Sequence, residues 1–311
     1  MRIFLTGATG YIGGAVLDAL VRAGHQVTAL VRDNQKAARI ADRGAHPVIG
    51  NLGESESYRA AAEAQDGYVH TAFDGSSGRG PGVDRIALDT LIAAGKRPRT
   101  AGSTTPATRF IIYTSRTWVL GPTPEPASED APINPISHVS WRPDHEELVL
   151  NAASDGLRTI VIRPGVVYGG VDGIVGDLFK SASNGLVRVV GDGNNHWPLI
   201  YERDLADLYA RLVARTDAAG VYHANDEGDE RVNDIVEAIS PYLALRPDVR
   251  HVPIEEARAK MGSYADALSC DQVLRSPRAR ALGWTPGLHS VAGNAARLLE
   301  EWRAGRNSRV A

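Results

Sequence analysis

The 311-residue chain carries 34 Lys and Arg against 37 Asp and Glu, a formal net charge of −3, and 43% hydrophobic residues. That balance suits a soluble globular protein and gives no electrostatic pull toward nucleic acid or an anionic membrane. No run approaches the roughly 18 apolar residues of a membrane span. The one cysteine, Cys270, excludes an internal disulfide and a cysteine-rich metal site. The length exceeds a single core and accommodates a nucleotide domain plus a smaller substrate-binding part. An apolar strand beginning at Arg2 leaves no room for a signal peptide, so a cytoplasmic location is expected.

Arg2 to Thr6 is a short apolar strand that runs into glycines. Ile12, Val16, Leu20 and Val21 then recur at helical spacing, and Gly24 falls where that helix should stop. Val27 to Val31 reads as a second strand, Lys36 to Arg43 as a helix and Pro47 to Ile49 as a third strand. Ser55 to Ala64 is helical in pattern, and Tyr68 to Ala72 is a fourth strand. Polar loops over Asp74–Gly82 and Lys96–Thr108 bracket a helix from Val83 to Ala94. Phe110–Thr114 and Thr159–Ile162 are the fifth and sixth strands. Strands alternating with helices imply a parallel, doubly wound α/β sheet of Rossmann type.

After about Gly165 the rhythm changes. Gly, Asp and Asn cluster at 169–176 and 191–195, and helices resume over Glu202–Arg215, Val232–Ala244 and Ser290–Arg303. The expected organisation is a dinucleotide-binding domain over 1–165, with a segment returning to it near 195–225. A smaller, discontinuous substrate lobe occupies 166–311. The arginine-rich tail from Arg303 to Arg309 is expected to be solvated and frayed.

Thr6-Gly7-Ala8-Thr9-Gly10-Tyr11-Ile12-Gly13 joins the first strand to the first helix. Glycine permits the tight turn and lets backbone approach a pyrophosphate, which the free N–H groups and dipole of the helix N-terminus then hold. The required context is present: a strand before, an amphipathic helix after, and a second strand about 20 residues on.

The G-x-x-G-x-x-G spacing resembles the short-chain dehydrogenase/reductase superfamily, in its extended and atypical, epimerase/dehydratase-like branches. Asn51-Leu52 stands where the family usually has Asp-Leu, and His70-Thr71-Ala72-Phe73, Tyr113-Thr114-Ser115 and Arg163-Pro164-Gly165-Val166-Val167-Tyr168-Gly169 resemble the family's segments in order. So do Tyr201-Glu202-Arg203-Asp204 and Leu282-Gly283-Trp284-Thr285-Pro286. The resemblance implies a nicotinamide dinucleotide held by Gly7, Thr9, Gly10, Tyr11, Ile12 and Gly13. It places Asn51 and Leu52 beside the adenine, Thr71, Ala72 and Phe73 under the cofactor, and Pro164, Val166 and Val167 near the nicotinamide.

An NAD-selective site ends its second strand on an acidic residue that accepts the ribose 2′-OH. Here Val31 stands there, followed by Arg32, whose planar fork suits a 2′-phosphate, with Lys36 close by. NADP is therefore expected, with NAD possible through Asp33.

The family's usual engine is a Tyr-x-x-x-Lys pair plus a serine. The stretch 128–151 contains no tyrosine and no lysine. Family register places His138 at the tyrosine position, Arg142 at the lysine position and Arg116 at the serine position, between Ser115 and Thr117. The candidate catalytic residues are Ser115, for a substrate carbonyl, Arg142, for ribose hydroxyls or a carboxylate, and His138, for proton relay. If the chain after His138 is helical, His138 and Arg142 share a face; Pro143 favours a later helix start that leaves His138 in a loop. Thr117, Trp118, Tyr168, His196 and Tyr201 are candidates for the substrate pocket. His138 and His145 lack a ligand set, so no metal site is expected.

The leading expectation is an NADP-dependent oxidoreductase of a small carbonyl or alcohol. The alternatives are an epimerase or dehydratase-type lyase that uses the nicotinamide transiently, and a non-catalytic dinucleotide-binding regulator. The partner is a small-molecule substrate, with no nucleic acid and no membrane. A homodimer through the helices near Val83–Ala94 and Asp144–Ala153 is expected from the resemblance and from Leu148, Val149 and Leu150.

Overall fold

In the computed structural model, residues 1–75, 78–98 and 108–310 are described. The elements around the main sheet are β1 (Arg2–Thr6), α1 (Tyr11–Arg22), β2 (Gln26–Val31), α2 (Asn34–Ala41), β3 (His46–Ile49), α3 (Arg59–Glu63) and β4 (Gly67–His70). They continue with α4 (Gly80–Lys96), β5 (Arg109–Thr114), α5 (Arg142–Leu150), β6 (Leu157–Pro164), α6 (Glu202–Ala214) and β7 (Gly220–Ala224).

The seven strands follow the order β7-β6-β5-β4-β1-β2-β3. All pairings from β6 to β3 are parallel. Parallel strands covered on both faces need nearly continuous apolar runs. The run Ile3-Phe4-Leu5 in β1 and Phe110-Ile111-Ile112-Tyr113 in β5 is buried throughout. Strand order reverses at β1, which lies between β4 and β2, with Thr6 registered on His70 and on Leu30. In open parallel sheets the ligand crevice lies beyond the carboxyl ends of the strands at such a reversal, and the glycine loop leaves β1 there.

The chain forms two compact units. The first comprises Met1–Ser115, Trp141–Arg163 and Ala206–Tyr222, and the second Arg116–Ser140, Pro164–Leu205 and the chain from His223 onward. The returning segment is thus shorter than the 195–225 expected, and residues 116–140 cluster with the second unit although they precede β6. The first unit packs Phe4, Tyr68, Leu88, Leu91, Ile111, Tyr113 and Leu157 into one core. The second has its own core around Trp118, Tyr168, Phe179, Trp197, Ile235 and Trp302. It also contains short strand pairs, such as Val166–Tyr168 with Leu199–Tyr201 and Leu186–Val190 with Asp248–Val252.

Four expectations need correction. The sheet has a seventh strand, β7, which sequence reading left unassigned. The helix expected over Ser55–Ala64 is a 3-10 turn, Ser55–Ser57, followed by the short α3. The tail expected to fray is helical, running from Ala295 to Val310. Trp302 anchors it: the indole is buried against Phe179, and Arg306 lies 4.7 Å over the ring. The loop expected over Lys96–Thr108 begins only after α4, and its residues 99–107 lie outside the described set.

Candidate active site

Glycine loop geometry fits a phosphate cradle. Gly7 has φ +81°, and a side chain there would press on Thr71 Oγ1 and the backbone of Ala72. A Cβ on Gly13 would lie 2.1 Å from Gly7 O, so only glycine lets α1 begin this close to β1. Gly10 N donates to Gly7 O at 2.8 Å, closing the turn. Gly10 begins α1 without a side-chain cap, and helix N-termini are favourable places for anions. Thr71 Oγ1 donates to Thr6 O at 2.7 Å, which fixes the Thr71–Phe73 segment against the loop.

At the end of β2, Val31 is buried and Arg32 is exposed. Asp33 caps α2, accepting Lys36 N at 2.8 Å and pairing with Lys36 Nζ at 3.2 Å. That carboxylate is engaged as a helix cap, and Arg32 is the cation beside it. Past β3, Asn51 forms a local turn with Gly53 and Glu54, and Leu52 packs onto the core.

Arg142 opens α5 and is only 3% exposed. Its Nη1 donates to the Tyr113 hydroxyl at 2.9 Å and to Thr114 O at 3.1 Å. Rings surround its guanidinium: Trp141 at 4.4 Å, Phe73 at 5.1 Å and Tyr113 at 5.9 Å. Phe73 and Trp141 also stack on each other at 5.3 Å. Such cation–π contacts strengthen when desolvated, so the side chain is held tightly. Its Nε has no hydrogen-bond partner among the described residues.

Behind Arg142 lies a buried polar network that sequence reading missed. Asp84, on α4, takes His70 Nε2 at 3.1 Å on Oδ1, and His145 Nδ1 at 2.7 Å and the Tyr113 hydroxyl at 3.1 Å on Oδ2. His70 Nδ1 lies 2.7 Å from Thr6 Oγ1. With Asp84 ionised, both imidazoles donate to it and His70 Nδ1 accepts from the threonine. Burial opposes ionisation of Asp84, but the bonds from His145 and His70 outweigh it and hold the carboxyl well below the usual range. Burial pushes the Tyr113 phenol well above its ordinary value, so it stays protonated. Close by, Arg163 Nε and Nη2 grip both oxygens of the buried Glu146 at 2.6–3.1 Å.

Ser115 follows β5. Its N–H donates to Ile162 O at 2.8 Å, and its buried Oγ has no partner among the described residues. The Rossmann unit therefore contains the glycine loop, Arg32, Asn51, Leu52, Thr71–Phe73, Ser115 and Arg142.

His138 belongs to the second unit. It lies on the 3-10 turn Ser137–Val139, before α5 begins, so it and Arg142 do not share a helical face. Its Nδ1 lies 3.2 Å from Ser263 Oγ, and its ring contacts Trp118 and Tyr264. Thr117 and Trp118 are buried on the turn Thr117–Leu120, and the Arg116 guanidinium lies 5.2 Å over the Trp118 ring. Tyr168 and Tyr201 are buried with their hydroxyls committed, to Asp226 at 3.1 Å and to Glu301 at 3.0 Å. Pro164, Val166 and Val167 are likewise buried, and half-buried His196 meets Asp271 at 2.9 Å. Burial lifts the Asp226 carboxyl to about 7, although Gly228 N–H and the Tyr168 hydroxyl donate to it. Among the described residues no group of three or more His, Cys, Asp or Glu is placed to hold a metal ion, and no helix is long and apolar enough to cross a membrane.

The sequence profile of the NAD dependent epimerase/dehydratase family matches residues 3–225. The chain belongs to this family. An uncharacterized protein of Schizosaccharomyces pombe is 32% identical over 292 residues, covering 92% of this chain and 95% of its own. A Stigmatella aurantiaca protein named 4-hydroxy-2-methyl-3-oxo-4-farnesyl-3,4-dihydroquinoline-1-oxide ketoreductase is 23% identical over 83% of this chain and 78% of its own. Among solved structures, a human epimerase family protein crystallised with NADPH superposes with a TM-score of 0.78 at 20% identity, covering 96% of this chain and 99% of that one. In this chain a buried arginine ringed by aromatic side chains, Arg142, opens α5.

Proposed function

We propose that this protein is an NADP-dependent oxidoreductase acting on a small carbonyl or alcohol. The observation that carries the reading is Arg142, a buried cation held rigidly in the unit that also contains the glycine cradle; we assign it the place of the family's lysine. The ketoreductase among the relatives and the NADPH of the structural neighbour support the same direction.

The glycine loop fits a dinucleotide, because its space beside Gly7 and Gly13 admits backbone and no side chain. Gly7, Gly10 and Gly13, with Thr9, Tyr11 and Ile12, would hold the pyrophosphate on α1. Arg32 would hold the 2′-phosphate, Asn51 and Leu52 the adenine side, and Thr71–Phe73, Pro164, Val166 and Val167 the remainder. Arg142 would donate to ribose hydroxyls, for which a fixed, permanently charged fork suffices. When bound, the nicotinamide would supply hydride transfer to a carbonyl carbon, or from the carbinol carbon of an alcohol. The chain's own task is then to orient the substrate and manage one proton. The Ser115 hydroxyl, with no partner among the described residues, is the donor assigned to the substrate oxygen. His138 is the titratable group assigned to the second unit, with Thr117, Trp118 and His196 as substrate contacts. Tyr168 and Tyr201 serve packing, because Asp226 and Glu301 already take their hydroxyl protons.

The family match favours a second reading, an epimerase or dehydratase that returns the hydride to its substrate. Cofactor stoichiometry separates the two. An oxidoreductase consumes one NADPH per alcohol formed across a carbonyl panel, whereas an epimerase or dehydratase forms product with no net oxidation. A homodimer through α4 and α5 is part of the same proposal and is read by sedimentation at micromolar concentration.

A further inference from the structure

Arg142 and the glycine loop are joined by a continuous hydrogen-bonded chain whose midpoint touches neither. From the loop side, Thr6 bonds His70 at 2.7 Å, and His70 bonds Asp84 at 3.1 Å. From the other side, Arg142 donates to Tyr113 at 2.9 Å, and Tyr113 donates to Asp84 at 3.1 Å. We propose that Asp84 is a positioning residue for the dinucleotide site: through Tyr113 it fixes the guanidinium of Arg142, and through His70 and Thr6 it ties that cation to the end of β1, where the glycine loop departs. The inference rests on the reading of Arg142 as a cofactor ligand.

Donor and acceptor accounting gives the chain one direction. A phenol has one proton. Asp84 is ionised and can only accept, so Tyr113 gives that proton to Asp84 and offers its lone pairs to Arg142. A neutral amide at position 84 accepts more weakly than the carboxylate and brings an NH2 donor of its own, so the Tyr113 proton is held less firmly in this orientation. The carboxylate thereby controls the orientation of a guanidinium it does not touch.

Charge accounting points the same way. Arg142 and Asp84 are both almost fully buried, and a buried charge needs a counter-charge. The neighbouring cation Arg163 is already taken by Glu146 in a bidentate pair. Asp84 and Arg142 face each other across one hydroxyl, and the charge of Arg142 helps to hold the Asp84 carboxyl low. The rings of Phe73 and Trp141 restrict the guanidinium further, and Thr114 O holds the same Nη1.

A double-mutant cycle on cofactor affinity tests this, with NADPH as the probe and its fluorescence on binding as the signal. Tyr113→Phe removes the bridging hydroxyl and keeps the ring that faces Arg142 and stacks at 6.0 Å on His70. The inference expects Tyr113→Phe, and Asp84→Asn where it folds, to weaken NADPH binding about fivefold or more, while Tyr113→Phe made on an Arg142→Gln background changes affinity by less than about twofold. Unchanged affinity in Tyr113→Phe overturns the inference. So does an equal loss in both backgrounds, because a merely structural role adds independently of Arg142. If the unmodified protein binds neither NADPH nor NADH, the cofactor reading itself fails, and this inference falls with it.

Discussion

Asp84 and Arg142 share one hydroxyl: the Tyr113 phenol donates to the carboxylate at 3.1 Å and accepts from the guanidinium at 2.9 Å. Both charged groups are buried, so the bridge makes the stability of the Rossmann unit depend on the ionisation of Asp84. Its carboxyl titrates lower in the folded chain than in the unfolded one. Its contribution is therefore fully present above the unfolded value of about 3.9 and is lost as pH falls through the lower folded value. Asp84→Asn should cost about 3–5 kcal/mol at neutral pH by leaving a buried cation uncompensated. The gap to the unmodified protein should narrow below pH about 4. Urea unfolding at several pH values measures it.

Asp226 behaves in the opposite sense. Its folded value of about 7 lies above the unfolded one. The folded state thus holds a proton that the unfolded chain releases, and this stabilisation is lost as pH rises through about 7. Across that window the unmodified protein should lose about 4 kcal/mol relative to Asp226→Asn. Melting temperatures of both proteins between pH 4 and 8 read the difference, and parallel curves would contradict it.

Cofactor choice is predicted to depend on Arg32. Asp33 is occupied as the cap of α2 and by Lys36, and exposed Arg32 beside it is the group proposed to meet the 2′-phosphate. NADPH should bind several-fold tighter than NADH. Arg32→Ala should remove about 1.5–3 kcal/mol of NADPH affinity and leave NADH nearly unchanged. Calorimetric titration with both nucleotides checks this, and tighter binding of NADH by the unmodified protein would refute it.

Gly10→Val should abolish dinucleotide binding in a folded protein. A Cβ there already lies 3.2 Å from Gly7 O, and the extra methyl groups would enter the space in front of α1. Circular dichroism establishes folding, and NADPH titration establishes the loss.

The Rossmann half was legible because its signals are local. Continuous apolar strands, the glycine loop and the amphipathic α1 each declare themselves within a dozen residues. β7 escaped because Val221-Tyr222-His223-Ala224 is too short to stand out beside an acidic turn. The C-terminal helix was expected, but its continuation past Arg303 was misjudged because one buried indole, Trp302, outweighs a polar composition. At the site, register alone singled out Arg142, and Pro143 already favoured the late helix start that separates it from His138. Asp84 and Tyr113 gave no such signal. Residues 70, 84, 113 and 145 come from four different elements, and only the folded sheet brings them to one carboxylate. Asp226 was hidden for the same reason, since its shift comes from burial.

The central claim is net hydride transfer between NADPH and a carbonyl. The most direct measurement follows absorbance of the reduced nicotinamide while product from a panel of small ketones and aldehydes is quantified by mass spectrometry. The account predicts one NADPH oxidised for each alcohol formed, with turnover falling sharply in Arg142→Ala. Product formed without net loss of NADPH, or tight NADPH binding with no turnover on any carbonyl, would contradict it.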